Sequence, residues 1–96
     1  MKRGGCVYIL TNINHSVFYV GVTSNLSNRI YEHKNKIYLD SFTSKYNCHD
    51  LMYFEEFPDI RDAIAREKQL KRWRKEWKYE MIKKENPDMK DLAADW

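Results

Sequence analysis

The sequence predicts an α+β fold, a small three-stranded antiparallel sheet flanked by helices, in one domain spanning residues 1–96. Two runs rich in β-branched and aromatic residues lie near the N-terminus, and a third lies mid-chain. Amphipathic helical patterns follow the second and third runs. A chain of 96 residues is long enough for one such core and too short for two.

Three strands are predicted from these runs. Residues 6–10 (CVYIL) and 16–22 (SVFYVGV) are separated by the turn residues 11–15, so they are expected to form a hairpin. Residues 51–57 (LMYFEEF) form the third run, and Pro58 is expected to end it.

The hairpin determines how two tyrosines are arranged. A turn centred on Ile13 and Asn14 would place Tyr8 directly opposite Tyr19. Since side chains alternate along a strand, a loop with an even number of residues keeps both tyrosines on one face of the sheet. We therefore expect Tyr8 and Tyr19 to share a face.

A first helix is predicted within residues 23–37, where the capping residues Thr23, Ser24 and Asn25 precede a helical pattern. Arg29 and His33 are four residues apart and border the apolar stripe of this helix, so both are expected to face the sheet. The polar residues 37–50 are predicted to form a loop. The stripe contains three residues at helical spacing: Leu26, Ile30 and Ile37.

A second helix is predicted over residues 60–75, with Asp59 as its N-cap. Glu67 falls in the middle of its inward stripe, where a carboxylate is costly unless it is paired or bound to a metal. A salt bridge with Arg29 or Lys71 and a metal ligand are about equally favoured. The apolar members of the stripe are Ile60, Ala63, Ile64 and Leu70.

A third helical pattern covers residues 76–89, and Asn86 with Pro87 is expected to end it. The tail that follows is expected to dock through Leu92 and Trp96. Three residues spaced four apart are expected to pack in the core or between helices: Trp73, Trp77 and Met81.

Positive charge is concentrated in one segment. The formal net charge is +3, but residues 66–78 hold seven basic and two acidic residues, a local charge of +5. Such a segment suits a polyanion such as nucleic acid. A solvated helix face is the simpler alternative, and by itself the charge run favours that alternative.

The cysteine and hydropathy patterns indicate the cellular compartment. The two cysteines, Cys6 and Cys48, do not form a disulfide framework, which favours a reducing cytoplasm. His33, Cys48 and His49 lack the spacing of a zinc site, so none is expected. No apolar run approaches the ~18 residues of a membrane span. The N-terminus does not fit a signal peptide.

The strand motifs resemble the two signatures of the GIY-YIG nuclease family. Residues 6–8 (CVY), preceded by Gly5, are similar to the first signature, and residues 19–21 (YVG) are similar to the second. Cys6 stands where the first signature has glycine, and valines replace both isoleucines. These short motifs occur here in the family's order and spacing.

The helices extend this resemblance over nearly the whole chain. Residues 26–33 (LSNRIYEH) match the leucine, arginine and histidine pattern that follows the second signature. Residues 63–78 are similar to the glutamate helix of the family. Residues 86–92 (NPDMKDL) resemble the ending of small stand-alone bacterial members related to the N-terminal nuclease domain of the repair excinuclease.

The resemblance implies metal-dependent hydrolysis of a DNA phosphodiester. Glu67 would bind one divalent ion, Mg²⁺ or Mn²⁺, and Arg29 would clamp the scissile phosphate. Tyr8 is the favoured general base, and Tyr19 would position the water or the phosphate. His33 is either a competing base or an orienting hydrogen-bond partner.

The resemblance also implies how DNA would be held. Gly21 would leave room beside Tyr19 for a phosphate backbone. DNA with branches, flaps or damage is a candidate substrate, which suggests repair or recombination, and a protein partner is compatible with this role. Contacts to phosphate outside the centre would come from five residues: Lys68, Lys71, Arg72, Arg74 and Lys75.

Two alternatives to a nuclease remain open. The first is a non-catalytic nucleic-acid-binding module with the same fold. The second is a protein-interaction domain whose basic helix contacts an acidic partner.

Overall fold

The computed structural model describes residues 4–35 and 45–96. Within them lie three strands, which form one antiparallel sheet in the order β2-β1-β3, and three helices. The predicted α+β class is confirmed. The elements are β1 (Gly5–Thr11), β2 (Phe18–Thr23), α1 (Leu26–Lys34), β3 (Asp50–Phe57), α2 (Ile60–Lys71) and α3 (Lys75–Glu85). No helix in the described ranges is long and apolar enough to span a membrane.

The central strand β1 separates two hydrophobic clusters. All of its residues are buried, since helices cover both faces of the sheet. Val7 and Ile9 pack in the cluster that contains α2 and α3 residues, whereas Tyr8 and Leu10 pack in the cluster that contains Ile30 of α1. The domain therefore has three layers, with α1 on one face and α2 and α3 on the other.

The hairpin register differs from the predicted one. Tyr8 pairs with Gly21, and Tyr19 pairs with Leu10. The expectation that the tyrosines share a face is confirmed, because Tyr19 and Gly21 are two residues apart on β2. The arrangement of Tyr8 directly opposite Tyr19 is wrong, since the two rings lie diagonally across the hairpin.

The loop between β1 and β2 accounts for this register. The side-chain oxygen of Asn12 accepts hydrogen bonds from the backbone N–H groups of Ser16 (2.9 Å) and Val17 (3.1 Å). His15 adopts a left-handed conformation with φ of 54°, and its N–H bonds the carbonyl of Asn12 at 3.0 Å. The turn is therefore centred one residue later than Ile13 and Asn14.

The first helix is shorter than its pattern predicts. α1 begins at Leu26 because the side chain of Asn25 caps it, accepting a hydrogen bond from the backbone N–H of Asn28 at 3.1 Å. The predicted stripe residue Ile37 lies outside the described residues, as does most of the predicted loop 37–50. Asp50 belongs to β3 and not to that loop.

The helix predicted over residues 60–75 is interrupted. α2 begins after the predicted cap Asp59, whose side chain accepts from the N–H of Arg61, but it ends at Lys71. The N–H groups of the next two residues, Arg72 and Trp73, bond carbonyls three residues back in a tighter turn. Ile64 was expected to face inward and is instead exposed, because Ala63 and Leu70 fill the contact with the sheet.

The C-terminal tail docks differently from the prediction. Asn86 ends α3 as expected. Beyond it, the side chain of Asp91 accepts a hydrogen bond from the N–H of Leu51 at 2.9 Å and pairs with Lys34 at 2.6 Å. Leu92 remains exposed, although its backbone N–H bonds the carbonyl of Leu51 at 2.8 Å.

Trp96 also differs from its predicted role as a buried anchor. Its side chain is 58% exposed, although its ring lies edge-on to Phe54 with centroids 6.4 Å apart. Ala93 is the apolar tail residue that enters the core next to α1. Asp91 and Ala93 therefore anchor the tail.

Candidate active site

Three of the predicted site residues meet on the α1 face of the sheet. The ring of Tyr8 lies 6.2 Å from that of Tyr19 and 5.7 Å from that of His33, and the Tyr19 and His33 centroids are 5.8 Å apart. The hydroxyl of Tyr8 lies 3.0 Å from Nε2 of His33. We call these three side chains the tyrosine–histidine cluster.

Gly21 makes the position of Tyr8 possible. A Cβ atom at Gly21 would lie 2.4 Å from both Cζ and Oη of Tyr8, and 2.9 Å from Cε1 of Tyr19. The space above this glycine is therefore filled by the Tyr8 ring. The expectation that Gly21 leaves room for a phosphate backbone is wrong, because the absent side chain accommodates the ring.

Burial sets the protonation states of the cluster. Burial raises the pKa of Tyr8 well above its usual value, with Tyr19 adding to the effect and the Arg29 charge opposing it. Burial lowers the pKa of His33 to about 4, and Arg29 lowers it further while Glu32 opposes it. His33 is therefore neutral at pH 7, and the tautomer of its ring decides whether Nε2 accepts a hydrogen bond from the Tyr8 hydroxyl or donates one to it.

Arg29 borders the cluster with its side chain 40% exposed and 3.5 Å from the carboxylate of Glu32. The prediction that it leans toward the sheet is therefore only partly met. Two neighbours were missed from the sequence: Glu32 and His49, whose charges both act on the pKa of His33. The i,i+3 spacing to Arg29 indicates Glu32, whereas no spacing rule indicates His49.

Glu67 does not join the tyrosine–histidine cluster. Its helix α2 packs on the opposite face of the sheet, through Ala63 and Leu70. The side chain of Glu67 is 15% exposed and lies 3.4 Å from Nζ of Lys71. The salt bridge considered from the sequence is therefore present. α2 also contacts β2, which is one of the two edge strands of the sheet.

The carboxylate donors fit one kind of metal site. Across residues 4–35 and 45–96, no three His, Cys, Asp or Glu residues group closely enough to form a metal cage. A single carboxylate such as Glu67 suits Mg²⁺ or Mn²⁺, which keep several waters when few protein ligands are present. The donor set is therefore compatible with such an ion and incompatible with a closed protein site.

The predicted phosphate-binding residues are all exposed. Arg66, at the start of the same basic segment, is instead fixed by Glu55, with Nε and Oε1 3.0 Å apart. Lys75 donates to the carbonyl of Ser16, which ties α3 to the hairpin loop. The five exposed residues are Lys68, Lys71, Arg72, Arg74 and Lys75.

Comparison with protein-family models matches residues 4–80 to the GIY-YIG catalytic domain. No curated protein and no solved structure gave a significant match. The matched range contains the tyrosine–histidine cluster, Arg29, Glu67 and the basic segment. The order of elements and the hairpin with its two signature tyrosines agree with this match, and the chain therefore belongs to the GIY-YIG family, a nuclease superfamily whose members are generally endonucleases.

Proposed function

We propose that this protein is a DNA endonuclease that hydrolyses phosphodiester bonds with one Mg²⁺ or Mn²⁺ ion bound by Glu67. Its family supports the class of reaction. The observation that carries the proposal is the hydrogen bond between the buried Tyr8 hydroxyl and Nε2 of His33 at 3.0 Å. This hydrogen bond joins a phenol to a neutral imidazole, and a proton can be transferred between these two groups.

This pair suggests how a water molecule is activated. The raised pKa of Tyr8 makes a resting phenolate scarce at neutral pH, so Tyr8 needs a partner that takes its proton. His33 is neutral, and with its ring proton on Nδ1 its Nε2 would accept the hydrogen bond from the Tyr8 hydroxyl. As Tyr8 accepts a proton from the attacking water, its own proton would pass to Nε2 of His33. Tyr19, with its ring close to both, would position the water or the phosphate.

The charged residues divide the remaining tasks. The exposed guanidinium of Arg29 would bind the scissile phosphate through paired N–H donors. A divalent ion at Glu67 would polarise the phosphate and stabilise the leaving oxygen. Because α1 and α2 lie on opposite faces of the sheet, a phosphate that contacts both Arg29 and an ion at Glu67 would have to lie at an edge of the sheet, which is formed by β2 or β3.

One observation favours a second candidate, a non-catalytic DNA-binding module. Glu67 is paired with Lys71, and its helix lies on the face opposite the tyrosine–histidine cluster. A module of this kind would use the exposed basic residues for DNA binding and leave the cluster as a structural contact. The two candidates differ in cleavage and not in binding.

A cleavage assay separates the candidates. We would incubate linear, nicked, flapped and branched DNA with Mg²⁺ or Mn²⁺ and the wild-type protein, Glu67→Ala or Glu76→Ala. Glu76→Ala is the matched control, because it removes an exposed carboxylate from the same basic segment. The nuclease proposal expects the wild type and Glu76→Ala to cleave, and Glu67→Ala to lose cleavage while its circular dichroism stays unchanged.

Each other outcome selects an alternative. Cleavage by folded Glu67→Ala at the wild-type rate would refute the role of Glu67. Salt-sensitive DNA binding without cleavage of any substrate would indicate the binding module. Failure to bind nucleic acid at low salt would instead indicate a protein-interaction domain with an acidic partner.

The cellular role that we propose is processing of branched, flapped or damaged DNA in repair or recombination, alone or with a protein partner. The residues that resemble small bacterial relatives of the repair excinuclease's nuclease domain support this proposal. Cys6 and Cys48 are both buried with free thiols, which suits the reducing cytoplasm.

A further inference from the structure

A pair of tryptophans lies away from the tyrosine–histidine cluster, where α2 turns into α3. The rings of Trp73 and Trp77 are 6.3 Å apart and nearly perpendicular. Trp73 is half-buried, whereas Trp77 is 51% exposed. The prediction that both are packing residues therefore holds for Trp73 and only in part for Trp77. The guanidinium of Arg74 lies 5.7 Å from the ring centre of Trp77, so a planar ligand that stacks on this indole would use the ring face that Arg74 leaves open.

Arg66 connects the residues behind the exposed ring. The guanidinium of Arg66 lies 5.3 Å from the ring centre of Trp73, and Glu55 fixes this arginine from the sheet. Nη1 of Arg66 also donates to Oε1 of Gln69 at 2.7 Å. Because a guanidinium can only donate, this bond fixes which end of the Gln69 amide is the oxygen. The amide N–H₂ of Gln69 is thereby left as the donor.

The cleft in front of these residues is basic. It has a volume of about 490 Å³, and its lining contains no acidic residue. Within residues 4–35 and 45–96, no carboxylate lies within salt-bridge distance of Lys68 or Arg72. The lining residues of this tryptophan cleft are Ala65, Lys68, Gln69, Arg72, Trp73 and Trp77.

The groove on the other side of the tryptophan pair differs in charge. Its lining includes the acidic residue Glu80. Its two basic lining residues are Lys84 and Arg66, and Arg66 is already paired with Glu55. An anionic ligand would therefore favour the tryptophan cleft over this groove. The two sides of the pair thus differ in the ligand charge that they favour.

We propose that the tryptophan cleft binds an unpaired nucleotide of single-stranded DNA. The base would stack on Trp77, the amide of Gln69 would donate to an acceptor on the base edge, and Lys68 with Arg72 would contact the flanking phosphates. A planar base with acceptor groups matches this lining better than an acidic peptide, which would use only the two cations.

The position of the cleft connects it to the candidate metal ligand. Lys68 directly follows Glu67 in α2, so their Cα atoms are about 3.8 Å apart, although successive side chains of a helix point in different directions. A single strand that extends from the cleft across α2 would reach Glu67. This inference rests on the proposed function in taking DNA as the substrate, and it names DNA with an unpaired segment as the preferred form.

The experiment compares two oligonucleotides of equal charge. Fluorescence anisotropy would measure binding of a labelled oligothymidine and of an abasic phosphodiester of the same length, about 12 units, in EDTA so that no metal-dependent cleavage occurs. We would test the wild type, Trp77→Ala and Trp77→Phe. Trp96→Ala is the control, because it removes another exposed tryptophan that is remote in sequence and lies beside Phe54.

We expect Trp77→Ala to weaken oligothymidine binding about tenfold and to leave binding of the abasic strand unchanged. Trp77→Phe should retain most of the affinity, and Trp96→Ala should behave like the wild type. Equal binding of the two oligonucleotides by the wild type would overturn the proposal. Displacement of both oligonucleotides by polyglutamate of equal charge would also overturn the proposal, because the surface would then bind any polyanion.

Binding and cleavage outcomes can be told apart. A protein that prefers oligothymidine through Trp77 and cleaves no substrate would support the cleft and refute the nuclease. A protein that cleaves DNA but whose oligothymidine binding is unchanged by Trp77→Ala would support the nuclease and refute the cleft. Circular dichroism identifies misfolding, and Trp77→Leu, which keeps an apolar side chain but removes the aromatic ring, provides the test if Trp77→Ala does not fold.

Discussion

Replacement of Gly21 by alanine tests whether the tyrosine–histidine cluster is built around an absent side chain. The new Cβ would lie 2.4 Å from Cζ and Oη of Tyr8, whereas carbon atoms in contact are usually about 3.5–4.0 Å apart. The buried Tyr8 ring must therefore move by roughly 1 Å, and the 3.0 Å hydrogen bond to His33 would lengthen or break.

The free-energy cost of this change has three contributions. Overpacking a core typically costs about 1–3 kcal/mol, and the lost hydrogen bond adds about 1 kcal/mol. Alanine lowers the entropy of the unfolded chain, which returns about 0.4–1 kcal/mol. The free energy of unfolding should therefore fall by roughly 2–3 kcal/mol. For a domain of this size, that corresponds to a fall in Tm of roughly 10–20 °C.

Thermal unfolding followed by circular dichroism measures this cost, with Gly4→Ala as the control. A Cβ at Gly4 would approach one backbone oxygen at 3.1 Å and lies at an exposed position, so a change in Tm of only a few degrees is expected. The reasoning would be refuted if Gly21→Ala unfolded within about 2 °C of the wild type. Alkaline titration of tyrosine absorbance should also detect a Tyr8 pKa that returns toward its ordinary value of about 10.

Two further predictions concern pH and the tail. The pKa of His33 is about 4 in the folded protein and about 6.5 in the unfolded chain. The neutral His33 side chain therefore contributes fully to the free energy of unfolding above pH 6.5, and this contribution is lost as the pH falls toward 4. The free energy of unfolding measured with urea should fall by about 3 kcal/mol over that pH range. His33→Gln should remove this fall, and an equal fall in the variant would contradict the prediction. Burial would raise the pKa of Asp91, but bonds from Lys34 and two backbone N–H groups hold it below its usual value. The ionised Asp91 side chain therefore stabilises the fold above about pH 4, and this stabilisation is lost in acid. Asp91→Ala should lower the free energy of unfolding by about 3 kcal/mol at pH 7 and by little at pH 2. An equal loss at both pH values would refute this prediction.

Local patterns predicted most of the fold. β-branched runs located the three strands because the sheet is covered on both faces, and Asn25 and Asp59 located two helix starts through their capping side chains. The end of α2 was missed because residues 72–74 continue a good helical composition. Only backbone bonds in a tighter turn show the break there.

The candidate site was only partly predictable. Alternation along the strands places Tyr8 and Tyr19 on one face, but the two-residue shift in strand pairing, from Tyr19 to Gly21 as the partner of Tyr8, depends on Asn12 and the left-handed His15. Helical spacing puts Glu67 on the inward side of its helix without saying which face of the sheet that helix covers. The strand register and the face of the sheet that a helix covers depend on long-range packing, which the local spacing of residues does not reveal.

The anchored tail has a consequence for how the protein would respond to a protease. Exposed Lys90 directly precedes Asp91, so trypsin has a potential cleavage site next to the bond that joins the tail to Leu51 and Lys34. A cut there would release Ala93 from the cluster that contains Tyr8 and remove the partner at the C-terminal end of α1. Amide exchange at Leu51 would then accelerate, because its N–H donates to Asp91. A few residues remote in sequence from Arg29 and His33 thus govern how firmly the helix that carries them is held.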